Sequence, residues 1–171
     1  KEYKYHYGFL DQVVIFDTTG KQLNTIEFPK GTGDLRTNFP DGQLLNLIPR
    51  KNGLKEGKGV WKLPNGMPYM QGNYENDEEQ GEFISYFENG KTLAKRNFEE
   101  GNLHGKCFWY FRDGKLRVES NYHYGKNHGS RKFFYENGQL EREGIYFYGE
   151  AEGLFSYYTY DGTLYCQRLY E

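Results

Sequence analysis

The chain has 171 residues, with 22 Lys and Arg against 24 Asp and Glu, and 19% of it is aromatic, including 17 Tyr and 13 Phe. A near-neutral balance and an isoelectric point near 6.1 leave no electrostatic footprint for a nucleic-acid backbone. At a mean hydropathy of −0.95, no apolar run approaches the ~18 residues that cross a bilayer as a helix.

Taken in order, residues 1–32 read as an atypical capping hairpin. Tyr3, Tyr5 and Tyr7 alternate with Lys4 and His6, a period-2 pattern for a strand. Val13 to Phe16 is a β-branched run, Asp17 to Gly20 is a turn, and Leu23, Thr25 and Ile26 make a second run. From Gly33 onward one frame recurs every 24 residues without insertion or deletion, beginning at Gly33, Gly57, Gly81, Gly105, Gly129 and Gly153. The repeats are 33–56, 57–80, 81–104, 105–128, 129–152 and 153–171, read as one continuous domain with the cap. The fold class expected is therefore all-β, an elongated single-layer array of about seven antiparallel β-hairpins.

Within each repeat Asp or Asn precedes a second glycine, at Gly42, Gly66, Gly90, Gly114, Gly138 and Gly162. Such dipeptides favour a two-residue type I′ turn, which fixes the register and would pair Phe111 with Leu116, Tyr110 with Arg117 and Trp109 with Val118. The expected core face gathers Trp61, Trp109, Phe133 and Tyr157 with Leu63, Phe87, Phe111 and Tyr135, and with Leu44, Leu116, Leu140 and Leu164 across the turn. Tyr74, Phe98, Tyr122, Tyr146 and Tyr170 add an aromatic column of the same parity. Gly53, Gly101, Gly125 and Gly149 recur where the chain turns into the next hairpin, and the acidic stretch Glu75 to Glu82 is expected as a solvated loop.

The opposite face carries the candidate partner-binding residues. Tyr86, Tyr110, Phe134 and Tyr158 form a ladder there, with Tyr69, Arg117 and Tyr165 opposed to it; Tyr and Arg bury area while keeping a polar contact, as interaction hot spots require. Replacing Tyr110 and Phe134 together with Ser is expected to abolish partner capture while leaving the β circular dichroism intact.

Enzymatic signatures are set against blander roles. His104 and His128 share a column, but the strand spacing puts them roughly 9 to 10 Å apart with no third ligand column, so they read as turn-supporting residues and no metal site is expected. Cys107, with His104 or His123 as base, is a nucleophile candidate, yet it aligns with Phe83 and Phe155 and reads as packing. Cys107 and Cys166 fall in different columns and read as free thiols. The glycines never open a helix, so no phosphate loop or cofactor is expected.

The frame G-x-x-x-W/F-Y-F-x-N/D-G-K-L, with Asn89-Gly90-Lys91, Gly101-Asn102-Leu103-His104-Gly105 and Gly125-Lys126-Asn127-His128-Gly129, resembles the MORN repeat, in particular the bacterial variant found in YwqK-type antitoxins. The resemblance covers about 33–171, departing at Gly57 to Gly81, where Pro64 and Pro68 and an acidic connection replace the usual pattern. It implies an elongated β array used to bind proteins or, in some relatives, membrane head groups; the antitoxin likeness implies neutralising a partner by contact. The expected function is a non-enzymatic protein–protein interaction module, antitoxin-like or scaffold. Binding to membrane head groups or polysaccharide at the cell envelope is the alternative. Self-association through the strand Leu164 to Tyr170 is a further expectation. The chain begins at Lys1 without an initiator Met, which favours export to the bacterial envelope over the cytoplasm.

Overall fold

The computed structural model describes residues 1–6 and 9–171, so that of the alternating tyrosines Tyr7 lies outside the described residues. Every sheet is antiparallel, and no α-helix occurs among the described residues. The chain divides into two compact units, Lys1–Glu78 and Glu79–Glu171.

In the first unit β1 (Glu2–His6), β2 (Phe9–Phe16) and β3 (Gln22–Glu27) form a three-stranded sheet in that order. Asp17 closes its turn by accepting the backbone N–H of Thr19 and of Lys21, at 2.8 and 2.9 Å. A 3-10 turn at Pro29–Gly31 leads into β4 (Gly33–Asn38), β5 (Leu44–Lys51), β6 (Leu54–Lys55), β7 (Gly57–Lys62) and β8 (Pro68–Glu75). Val13 and Phe28 are wholly buried, with Ile15, Ile26 and Leu35 against them.

The second unit is a meander of β9 (Glu78–Tyr86, its first residue in the first unit), β10 (Thr92–Glu99), β11 (Asn102–Leu103), β12 (Gly105–Tyr110), β13 (Leu116–His123), β14 (Lys126–Phe134), β15 (Leu140–Phe147), β16 (Glu150–Tyr158) and β17 (Leu164–Tyr170). The acidic stretch is therefore not a loop: Asn76 and Asp77 turn the chain, and Glu78 onward is strand.

The turns are the reverse of those expected. The Asp/Asn-Gly sites are three-residue loops. In the one after β12, Gly114 N–H donates to Phe111 O at 2.9 Å and Phe111 N–H to Lys115 O at 2.8 Å, and the same pair recurs at every repeat. Only the glycine has positive φ, 79 to 96° across Gly42, Gly66, Gly90, Gly114, Gly138 and Gly162, whereas a type I′ turn needs it at both central residues. This is a type I turn followed by a left-handed glycine and a bulge. Asp or Asn is there for its side chain: Asp113 Oδ1 accepts the Lys115 N–H at 3.0 Å, and Asn89 and Asn137 do the same for Lys91 and Gln139.

The type I′ turns join successive repeats instead. Both central residues have positive φ at Asn52-Gly53, Asn76-Asp77, Glu100-Gly101, Tyr124-Gly125 and Tyr148-Gly149. Each tip also donates its second N–H to a carbonyl 22 residues earlier, as Gly125 does to Leu103 at 2.9 Å and Gly149 to Asn127 at 2.8 Å, so consecutive tips are stitched together.

The bulge changes the register beside the turn. Trp109 faces Val118 as expected, but Tyr110 faces Leu116, and Arg117 is the bulged residue with no direct partner. The same displacement sets Leu140 and Leu164 opposite Phe134 and Tyr158, off the expected core face. The expected Trp, Phe and Tyr column is half-buried; the deepest side chains sit one step further from the turn, at Phe83, Cys107 and Ser120, each 0% exposed. The aromatic column does lie on this face, each ring opposite a glycine, as Tyr122 opposite Gly105 and Tyr146 opposite Gly129.

Candidate functional site

Register sorts the second unit into two chemically distinct faces. One carries Phe108, Glu119, Lys132, Glu143 and Ser156 across four adjacent strand pairs. Its charges are neutralised internally: Lys106 Nζ lies 3.1 Å from Glu119, Lys132 Nζ lies 3.1 Å from Glu143, and Tyr158 donates to Glu143 at 3.2 Å.

The other face carries Trp109, Val118, Phe133, Arg142 and Tyr157 in line across β12 to β16. Here a groove of about 630 Å³ opens, walled by Trp109, Phe111, Phe133, Tyr135 and Tyr160 and holding Arg117, Arg131 and Arg142. The arginines are stacked on rings. Arg142 lies 3.9 Å and Arg131 4.8 Å from the Phe133 ring centroid, and Arg117 lies 5.7 Å from that of Phe111. A guanidinium stacked on a ring keeps its in-plane donors free to grip a planar anion from the side.

These charges are poorly compensated. Among the described residues, neither Arg117 nor Arg131 has a carboxylate within 4 Å, and the Nε atoms of Arg131 and Arg142 are shielded from solvent without a hydrogen-bond partner. Glu141 Oε1 stands 4.0 Å from Arg142 Nε, beyond hydrogen-bond reach. Tyr135 holds the far wall by donating to Tyr158 O at 2.9 Å and stacking on Tyr160 at 5.2 Å; burial first, then Glu141, pushes its phenol above the ordinary range.

The candidate residues divide between the two faces. Tyr86, Tyr110, Phe134 and Tyr158 keep a half-buried column opposite Thr92, Leu116, Leu140 and Leu164. Tyr69, Arg117 and Tyr165 are all bulged residues rather than partners of that column. Tyr69 is 49% and Tyr165 63% exposed, and the Tyr165 ring stands 6.5 Å from that of Tyr157 on the arginine face. Of the seven, Arg117 and Phe134 line the groove. Arg131 and Arg142 went unnoticed in the sequence, although each puts a charge in a column that elsewhere holds Phe83, Cys107 and Phe155, or Ala94 and Val118.

His104 and His128 are not isolated from each other. His123 stands between them, its ring 5.2 Å from the first and 5.6 Å from the second, and Tyr124 and Tyr148 complete the strip. Glu99 Oε2 lies 3.0 Å from His104 Nδ1 but off the line of a hydrogen bond. Among the described residues no group of three or more His, Cys, Asp or Glu has the geometry to hold a metal. Cys107 and Cys166 are free thiols.

Three consecutive segments of the chain, 79–100, 103–124 and 127–147, match the family model of the MORN repeat variant. Each segment spans one strand, its Asx loop and the returning strand, and the matched stretch contains Trp109, Arg117, Arg131, Phe133 and Arg142. MORN repeats are generally associated with binding proteins or membrane lipids. No curated protein matches the chain. No helix among the described residues is long and apolar enough to cross a membrane.

Proposed function

We propose that this chain is a non-enzymatic binding module that engages a protein partner through the arginine–aromatic groove of its second unit, neutralising or tethering that partner in the manner of an antitoxin or a scaffold. The supporting observation is the asymmetry of the two faces. One closes its own charge pairs, while the other leaves three arginines on aromatic rings with little compensation. Trp, Tyr and Arg in a partly desolvated depression are the residues that carry most of the energy at protein interfaces. A membrane surface suits the groove less well, since the chain is net −2 and Glu136 and Glu141 stand among the lining residues.

The test is affinity capture from lysate and envelope fractions with the intact chain and two variants. Stoichiometric capture of one protein, lost in Trp109→Ser/Arg117→Ser and kept in Tyr86→Ser/Tyr110→Ser, supports the groove. Loss only in the second variant moves the site to the tyrosine ladder, and recovery of lipid or glycan alone overturns the protein-binding reading.

A further inference from the structure

Building on that reading, we propose that the groove is a receptor for an acidic, aromatic peptide segment, with one Asp or Glu carboxylate of the partner seated on Arg131 and Arg142. These two arginines are diagonal neighbours on adjacent strands, since Arg131 pairs with Gly144 and Phe133 with Arg142. Gly144 adds no side chain beside Arg131, and both guanidiniums lean on the same Phe133 ring. The ring fixes the planes of two cations whose Nε atoms are buried without a protein acceptor. Arg142 keeps 42% of its side chain exposed, and a carboxylate accepts from outward guanidinium N–H groups through parallel, charge-assisted hydrogen bonds.

The charge count selects the anion. The groove lining holds three arginines, Arg117, Arg131 and Arg142, and two glutamates, Glu136 and Glu141, a net of +1. A monoanionic carboxylate balances that figure, whereas a phosphate dianion exceeds it and meets the two glutamates. The remaining lining selects the neighbours of the carboxylate. Trp109, Phe111 and Tyr160 present ring surface that a peptide covers with an aromatic or aliphatic side chain next to its acid. A volume of about 630 Å³ falls within the ~300–1,000 Å³ of sites that engulf drug-sized ligands, enough for a short peptide segment and too small for a folded domain. Arg117, exposed at the bulge beside Phe111, supplies one of the three positive charges that the single acid meets.

Fluorescence anisotropy with the full chain tests the proposal. The probe is a labelled, end-capped heptapeptide carrying one central Glu among Phe and Leu; its Gln counterpart, inorganic phosphate and vesicles containing phosphatidylserine serve as competitors. The acidic peptide is expected to bind, to lose at least about tenfold on conversion to the amide, and to lose a similar factor in Arg131→Gln/Arg142→Gln. The exposed Arg117→Gln is expected to weaken binding several-fold, which preserves the test should the double variant fail to fold. Lys106→Gln/Lys132→Gln on the opposite face should leave affinity unchanged. Equal binding of the amide peptide, indifference to the arginine variants, or displacement by phosphate or vesicles but not by unlabelled acidic peptide each overturns the proposal. Should the acidic peptide fail to bind while the chain still captures a protein through Trp109 and Arg117, the carboxylate seat is refuted and the protein-binding reading stands.

Discussion

Gly144 shows how tightly a single position is set in the second unit. A Cβ built there meets three carbons of the Phe155 ring at 2.4 to 2.5 Å, and Phe155 is 6% exposed, so the ring has little room to move away. Gly144→Ala is expected to destabilise the unit by about 1–3 kcal/mol, read as a lowered urea midpoint. The contrast is Gly59 in the first unit. Its Cβ would meet the Trp61 ring at 2.8 Å and the Tyr74 ring at 3.1 Å, and both rings are only half-buried, so Gly59→Ala should cost less than Gly144→Ala. Cys107 is equally constrained in its chemistry. It is wholly buried, its sulfur accepts the Asn97 N–H at 3.4 Å, and burial pushes the thiol above its ordinary range, all of which suppresses the thiolate that would react. The packing role inferred from its repeat column fits this burial. At pH 8 the native protein should consume one equivalent of a thiol reagent quickly, at half-buried Cys166, and the second only on unfolding. Rapid modification of both would contradict the burial of Cys107.

At the scale of the hairpin, the two turn classes explain what was legible and what was not. The 24-residue period and the presence of a turn at each Asp/Asn-Gly pair could be read directly, because glycine spacing survives whatever the turn type. The type could not, because Asn-Gly serves both a type I′ turn and an Asx-bonded type I turn closed by a left-handed glycine. The true type I′ sites were hidden by unsuitable residues: Glu100, Tyr124 and Tyr148 occupy first positions with φ of 49, 44 and 48°. Asn52 and Asn76, at the same step of the first unit, show the residue that suits this conformation. The bulge of the three-residue loop shifts one residue per hairpin, so Arg117 and Tyr165 stand off the tyrosine ladder that a two-residue turn would have them face. Glu100→Asn should therefore stabilise the second unit by about 0.5–1 kcal/mol, since Asn tolerates positive φ and the backbone bonds at this site are untouched. Tyr148→Asn should gain less or nothing, because the ring it removes packs on His123, His128 and Phe147 at 4.9 to 5.7 Å. Thermal melts of the two variants separate backbone relief from ring contact, and an equal gain in both would show that the strip contributes nothing to stability.

At the scale of the second unit, each strand of the meander pairs with its neighbours in the chain, which makes neighbouring repeats the source of cohesion. Each type I′ tip donates to the preceding repeat, Lys91 Nζ donates to Asp113 O at 2.6 Å, and Lys115 Nζ donates to Glu136 O at 2.7 Å, so every interior repeat is held from both sides. Stability in such an array is close to a sum of repeat and nearest-neighbour contributions. The consequence is a gradient within the second unit. The strands β9 to β13, bearing Phe83, Ala94, Phe98, Cys107 and Ser120, hold the most buried side chains of the unit, whereas β17 presents Leu164, Tyr165 and Leu169 at 47, 63 and 67% exposure. Native-state hydrogen exchange should find the slowest amides in β9 to β13 and the fastest strand amides in β17, with β14 to β16 between them. Leu169→Lys, which places a charge on the exposed side of β17, should change this order little in dilute protein, because Leu169 is two-thirds exposed already. If β17 instead gains protection as protein concentration rises, and Leu169→Lys abolishes that gain, the strand is pairing with a second copy; concentration-independent, uniform protection from β12 to β17 would show that the unit opens as one block rather than repeat by repeat.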